Sequence, residues 1–529
     1  MQNKDIEDIG SRVTTFRAPI PRSMMHAPNL AEIKPSVEEA LEIRYPPPKA
    51  LQSLKELYKV GYGPSSSHTL GPRAAAEDIK RRFMTQAGQD YSVTATLYGS
   101  LAATGKGHFT DQAIIEVFAP CPVKICWNTT DKEITKPHPN AVKFQVQKRT
   151  LTGILMDVGE DVVYSVGGGS IVWAKDMNKP RSSEKGVYEC KNMKELIEMC
   201  EDEGLEPWQI VARAEHDPEL SFLQDIWTAM SKSIESGFKS TGVLPGPLRL
   251  ARKANATFRK ARRTHPAFQR TPLLAAYALA VSEENAGMSC PIVTAPTCGS
   301  CGLVPAVLRY LKEVLDAKDD EIVKALAVAG LVGNIVKANA SISGAEVGCQ
   351  GEVGVAAAMA AAAAADLMGG TIQQIEYAAE IAIEQHLGLT CDPVQGYVQI
   401  PCIERNALSA TRAVDCAEYA LASDGRHLVS FDEAILVMKL TGLAMDSKFR
   451  ETAEGGLAAV FGLDKTTKNQ EQTMKHEREQ KRRLLEAALK NNWENEVDPD
   501  AHDGDESDDG GHPMPLPAEY QGIHWADWE

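Results

Sequence analysis

The chain has 529 residues, of which 43% are hydrophobic and 24% charged, and 72 acidic against 56 basic side chains give it a formal net charge of −16. That length exceeds one ordinary domain of roughly 100–200 residues, and the composition excludes wholesale disorder and a coiled coil. An acidic chain with no long basic stripe also excludes a nucleic-acid partner, because such binding is mostly phosphate neutralisation by Lys and Arg. Small-molecule chemistry is what remains.

In chain order, residues 1–48 carry scattered prolines, including Pro46-Pro47-Pro48, and read as an extended leader. The early acids Asp5, Glu7 and Asp8, with no apolar run beside them, argue against a signal or transit peptide. The 11 cysteines therefore read as reduced thiols of a cytoplasmic protein. From 49 to 175, short β-branched runs alternate with Gly and Pro, predicting strands at 93–98, 113–118, 123–127, 142–146 and 161–165 and a helix at 74–83. The polar stretch 176–189 reads as a linker.

From 190 to 462 apolar residues recur with helical spacing, predicting helices at 193–203, 206–215, 220–237, 272–284, 303–317, 321–338, 353–367, 372–385, 407–422 and 431–445. The expected fold is α+β, a small mixed α/β domain followed by a larger, mainly helical catalytic domain. Residues 356–365 have almost no polar face and should form the packed centre of the bundle. The longest apolar run, 353–365, is mostly Ala and too short to span a bilayer, so no membrane partner is expected. Residues 468–493 read as one more charged helix. The last stretch, 494–529, holds twelve acids and no Lys or Arg, which leaves only −4 for the rest of the chain, and reads as a solvated tail.

Chemistry-bearing residues cluster in three segments rich in Gly, Ser and Pro: 339–352 with Cys349, 388–396 with Cys391, and 400–406 with Cys402. Such loops suit a backbone that must approach something closely. The cysteines lie 42 and 11 residues apart, which fits neither paired CxxC zinc sites nor a ferredoxin run. The spacing allows three thiolates to converge on a 4Fe-4S cluster with one iron left open; inert thiols are the alternative.

The segments Gly63-Pro64-Ser65-Ser66-Ser67-His68-Thr69, Tyr98-Gly99-Ser100-Leu101 with Thr104-Gly105-Lys106-Gly107-His108, 165–169, 242–247, 341–352 and 389–406 resemble the iron–sulfur-dependent L-serine dehydratases, in one order from about 51 to 461. The resemblance implies a β-type domain fused to a helical catalytic domain, a 4Fe-4S cluster on Cys349, Cys391 and Cys402, and active-site histidines at His68 and His108. It implies conversion of L-serine to pyruvate and ammonia: an open iron acts as Lewis acid and an imidazole as base, the choice between the two histidines staying open. The same chemistry on threonine or cysteine, or a cluster-based sensor, are the rival readings.

Ser65, Ser66 and Ser67 could hold a substrate carboxylate or simply cap the following helix. Lys106 could pair with that carboxylate or stay solvated, and Ser341 and Ser343 are further expected substrate contacts. A homodimer is expected from the prevalence of paired enzymes. Two places depart from the family pattern: Cys298 stands where Asn usually follows Ala-Pro-Thr, and Gln385-His386 where His-Asn is usual. Cys298 and Cys301 could be a redox pair, alternative ligands or packed thiols. No cysteine follows Cys416, so a tail-borne thiol cannot cap the open iron. Gly167-Gly168-Gly169 lacks the Lys-Ser/Thr ending of a phosphate loop and reads as a turn.

Overall fold

The computed structural model describes residues 48–84, 90–150, 152–177 and 186–461. After a short strand, β1 (Val60–Gly61), and a helix, α1 (Gly71–Phe83), comes a five-stranded sheet. Its strands are β2 (Tyr91–Gly99), β3 (Val123–Asn128), β4 (Asn140–Arg149), β5 (Leu155–Ser165) and β6 (Ile171–Trp173), in the spatial order β3-β2-β4-β5-β6. β2 and β3 run parallel and the other neighbours antiparallel. Along β2, Tyr91, Val93, Ala95 and Leu97 are buried, every second residue, as a one-sided sheet requires. They pack with Ala75, Ala76 and Ile79 of α1 and with Ile114, Val117 and Phe118 of a second helix, α2 (Thr110–Phe118).

Helix α2 corrects the strand expected at 113–118. Its β-branched content suggested a strand, yet the buried residues Ala113, Ile114, Val117 and Phe118 follow the i, i+1, i+4, i+5 rhythm of a helix, with Ile115 and Glu116 outside. Asp111 in its first turn favours the helix N-terminus.

The second half is helical: α3 (Met193–Glu203), α4 (Pro207–Ala214), α5 (Ser221–Lys239), α6 (Ala254–Ala261), α7 (Arg270–Gly287), α8 (Leu303–Leu315), α9 (Asp319–Asn339), α10 (Val353–Leu367), α11 (Ile372–Glu384), α12 (Cys402–Leu421) and α13 (Phe431–Ala444). α10 is the expected centre: every residue from Val353 to Ala365 is buried, and α8, α9, α11 and α12 pack around it. A helix with neighbours on all sides needs no polar face, and alanines let those neighbours come close. Of the short elements, α6, β6 and the pairing of β1 with β7 (Ile292–Val293) were not expected. Among the described residues no single helix is long and apolar enough to cross a membrane. The leader up to 47, residues 178–185 of the expected linker, the helix expected at 468–493 and the acidic tail lie outside the described residues.

Candidate active site

The Gly-Pro-Ser-Ser-Ser-His segment makes one wide helical turn, Ser66–Leu70, that leads into α1. Ser65 starts it: its Oγ accepts the His68 backbone N–H at 3.1 Å and so caps this turn, whereas α1, entered from Leu70, has no side-chain cap, and the capping expected of the serines at that helix is not found. Ser66 accepts the backbone N–H of Cys298 at 2.7 Å and so ties this turn to the helical half. Ser67 Oγ lies 2.9 Å from His68 Nδ1. His108 closes the turn Gly105–His108 that follows the end of β2. The two imidazoles stack, with ring centroids 4.5 Å apart.

Both histidines converge on Glu451, a residue that the sequence reading missed. Its Oε1 stands 3.2 Å from His68 Nδ1 and 3.8 Å from His108 Nε2. Ser65 Oγ donates to Oε1 at 3.2 Å, and Ser67 Oγ lies 3.1 Å from each carboxylate oxygen. Ser100 completes the cluster: its hydroxyl donates to the Glu451 carbonyl at 2.8 Å, so at 3.0 Å it can only accept a proton from His68 Nε2. Both ring nitrogens of His68 are thereby engaged, whereas Nδ1 of His108 is buried and has no hydrogen-bond partner.

The electrostatics separate these groups. Burial alone would raise the Glu451 carboxyl, but His68, then His108 and the Ser67 hydroxyl, hold it down at about 2. Burial, and next the adjacent His68, lower His108 to about 3 despite the opposing pull of Glu451, so His108 is a neutral imidazole. When His68 carries both ring protons it forms a buried ion pair with Glu451.

The three cysteines come together here. Cys349 lies in the turn Gly348–Gly351, Cys391 in a loop, and Cys402 on the first turn of α12 instead of in the loop expected. All three line one small cavity with Ser65, His108, Glu352 and Glu451. A backbone ladder sets the depth of Glu451: Cys391 N–H donates to Phe449 C=O at 2.8 Å and Glu451 N–H to Cys391 C=O at 2.7 Å. The thiol of Cys391 lowers Cys349 to about 7 against the effect of burial, with help from the Arg405 guanidinium, which itself bonds the Thr390 carbonyl. Cys391 is pushed far up by its bond to Cys349 and by burial, and Cys402 by burial. A soft cation bound to these thiols would remove the penalty of ionising them, so the donor set fits an iron–sulfur cluster.

Glu352, also missed as a functional residue, is 9% exposed, with Oε2 3.8 Å from Cys391 Sγ. Burial first, then Glu451 and Cys349, raise its carboxyl well above the usual range.

Other expected contacts are placed elsewhere. Lys106 is exposed and is not part of the cavity wall. Ser341 bonds Glu346 and lines a separate, wider cleft. Ser343 is buried behind Gly167, where a Cβ would stand 3.2 Å from the Ser343 Cβ, and its hydroxyl has no hydrogen-bond partner. Gly167, Gly168 and Gly169 all have positive φ, the turn between β5 and β6 that was expected. Cys298 and Cys301 are free and buried, and burial raises both thiols, which makes them poor nucleophiles.

Comparison with known proteins agrees with this layout. A family model described as the serine dehydratase beta chain matches residues 53–125, which hold His68 and His108. One described as the serine dehydratase alpha chain matches 170–458, which hold the three cysteines, Glu352 and Glu451. The chain is similar to the L-serine dehydratase of Haemophilus influenzae, 38% identical over 451 residues that cover 77% of this chain and 98% of the relative. It is 39% identical to L-serine dehydratase 1 of Escherichia coli over 454 residues, covering 78% and 100%, and 39% identical to the L-serine dehydratase of Streptomyces coelicolor over 447 residues, covering 77% and 98%. The two matched segments and the near-complete coverage of these relatives establish that this chain belongs to the serine dehydratase family, with the beta-type and alpha-type parts fused in one polypeptide.

Proposed function

We propose that this enzyme dehydrates L-serine to pyruvate and ammonia, with a 4Fe-4S cluster held by Cys349, Cys391 and Cys402. The observation that carries the reading is the convergence of three buried thiols and a neutral, unpartnered imidazole on one cavity. When bound, the cluster supplies a Lewis-acidic iron that draws negative charge from the departing β-hydroxyl.

The protein's own residues handle the proton. His108 takes it from Cα onto Nδ1, the buried ring nitrogen left without a hydrogen-bond partner. Glu451, 3.8 Å from His108 Nε2, stabilises the imidazolium that forms. His68 does not take this proton, because Ser100 engages its Nε2 and Ser67 with Glu451 its Nδ1. It positions Glu451 instead. Ser65 lines the cavity, and its hydroxyl, which donates to Glu451 Oε1, helps to hold that acid in place. As the Cα–H and Cβ–O bonds break, the proton held by His108 passes to the departing hydroxide as water. The aminoacrylate then tautomerises and hydrolyses to pyruvate and ammonia. We also propose that the enzyme is a cytoplasmic homodimer, which fractionation and light scattering check.

The test is exchange of the serine Cα proton with D2O in the cluster-loaded enzyme. His108→Asn abolishes exchange while His68→Asn keeps a measurable rate; the reverse outcome moves the base to His68.

A further inference from the structure

The cavity holds two buried acids, and only one of them has a basic side chain beside it. Glu451 is paired with His68 and bonded by Ser65 and Ser67. Glu352 has no ion pair among the described residues, and no Lys or Arg side chain lines the cavity. Its carboxylate is seated between two glycines: a Cβ on Gly344 would stand 2.8 Å from Oε2, and one on Gly299 3.2 Å from Oε1. The absent side chains leave room for the carboxylate and keep its oxygens at the cavity wall.

A buried acid with no basic side chain beside it is a poor place for a negative charge, and a cation that arrives with hydrogen-bond donors of its own makes the charged form favourable there. The substrate of the proposed reaction carries one positive group, its α-ammonium. We propose that Glu352 receives the α-ammonium of the substrate and so makes the site specific for amino acids over hydroxy acids. This deepens the dehydratase reading and rests on it for the identity of the site. It gives the two carboxylates different tasks: Glu451 serves the histidines, and Glu352 orients the substrate by its nitrogen.

The experiment uses the full-length, cluster-loaded enzyme and its Glu352→Gln and Glu352→Asp variants. Iron and sulfide content and visible absorbance are measured first and stay at the wild-type level. Glu352→Gln then raises KM for L-serine about 10- to 100-fold, the range of a hydrogen bond between charged groups, and lowers kcat less. Calorimetry separates recognition from turnover. L-alanine, which has the ammonium but no leaving group, binds the Gln variant about 10-fold or more weakly, whereas L-lactate, which has no ammonium, binds both proteins alike. Glu352→Asp recovers part of the alanine affinity. Equal weakening of alanine and lactate, unchanged KM, or loss of iron from the Gln variant would each overturn the assignment, the last by placing Glu352 in cluster binding. A wild-type enzyme that prefers alanine to lactate through Glu352 yet makes no pyruvate would sink the dehydratase reading and leave this one standing.

Discussion

Glu451 and Ser67 meet across 384 residues of chain, with the serine Oγ 3.1 Å from each carboxylate oxygen. This contact holds the acid against His68 and joins the sheet half of the molecule to a segment near the end of the described helical half.

Removing the charge at that junction should disable the site. Glu451→Gln leaves His68 buried beside a neutral amide, and breaking a buried pair from one side costs about 3–5 kcal/mol. The expected result is a lower urea midpoint together with a fall in pyruvate formation of about 10²-fold, the lower range for loss of a group that serves proton transfer. Pyruvate formation within twofold of wild type would separate Glu451 from the chemistry.

The thiols divide into two sets. Substituting Cys349, Cys391 or Cys402 by Ser should remove most bound iron and all serine turnover, because three soft ligands are the minimum that holds such a cluster with one iron open. Cys301→Ala, in the buried CxxC turn, should retain the iron. Iron analysis of the four purified proteins decides the matter, and full iron in a Cys402→Ser protein would show that α12 does not contribute a ligand.

Gly107 sits where the His108 turn touches the loop before α12. A Cβ there would come 2.6 Å from both the carbonyl carbon and the oxygen of Gly396, backbone atoms that have no rotamer to change. Gly107→Ala should therefore cost about 1–3 kcal/mol and displace His108, with activity falling further than stability. Denaturant unfolding beside a pyruvate assay measures both.

Acid should destabilise the fold in two steps. The folded values of His108, about 3, and Glu451, about 2, both lie below the ordinary 6.5 and 4.5. Between about pH 6.5 and 3 the unfolded chain takes up a proton at residue 108 that the folded chain refuses, so stability falls as pH falls. The Glu451 contribution is complete above about 4.5 and is lost toward 2. The steepest slope from one group is ~1.4 kcal/mol per pH unit. Urea midpoints between about pH 7 and 5 should flatten in His108→Asn; an unchanged slope would place the acid sensitivity in other groups.

Much of the site was legible because its chemistry sits in segments with unusual local composition. Cys349, Cys391 and Cys402 stand among Gly, Ser and Pro, and His68 and His108 end motifs of the same kind. Glu451 was not legible: Phe449-Arg450-Glu451-Thr452 resembles any charged turn after a helix, and its depth comes from pairing with Cys391, a contact that local sequence does not encode. Glu352 was in view as the end of the segment 339–352, but its task depends on Gly299, in a distant loop, as much as on its neighbour Gly344. Lys106 shows the opposite error, a charge inside a motif whose side chain the fold turns outward. The long helices were easy because their apolar spacing extends over many turns, whereas α2, with nine residues, gave its β-branched content more weight than its rhythm.

The site draws His68 and His108 from the beta-type part, and its thiols and both glutamates from the alpha-type part. Were these two separate molecules, the fraction assembled would fall on dilution and each half would depend on the supply of the other. One peptide chain makes their docking intramolecular, with an effective concentration fixed by the tether, so the proportion of complete sites is the same at any expression level.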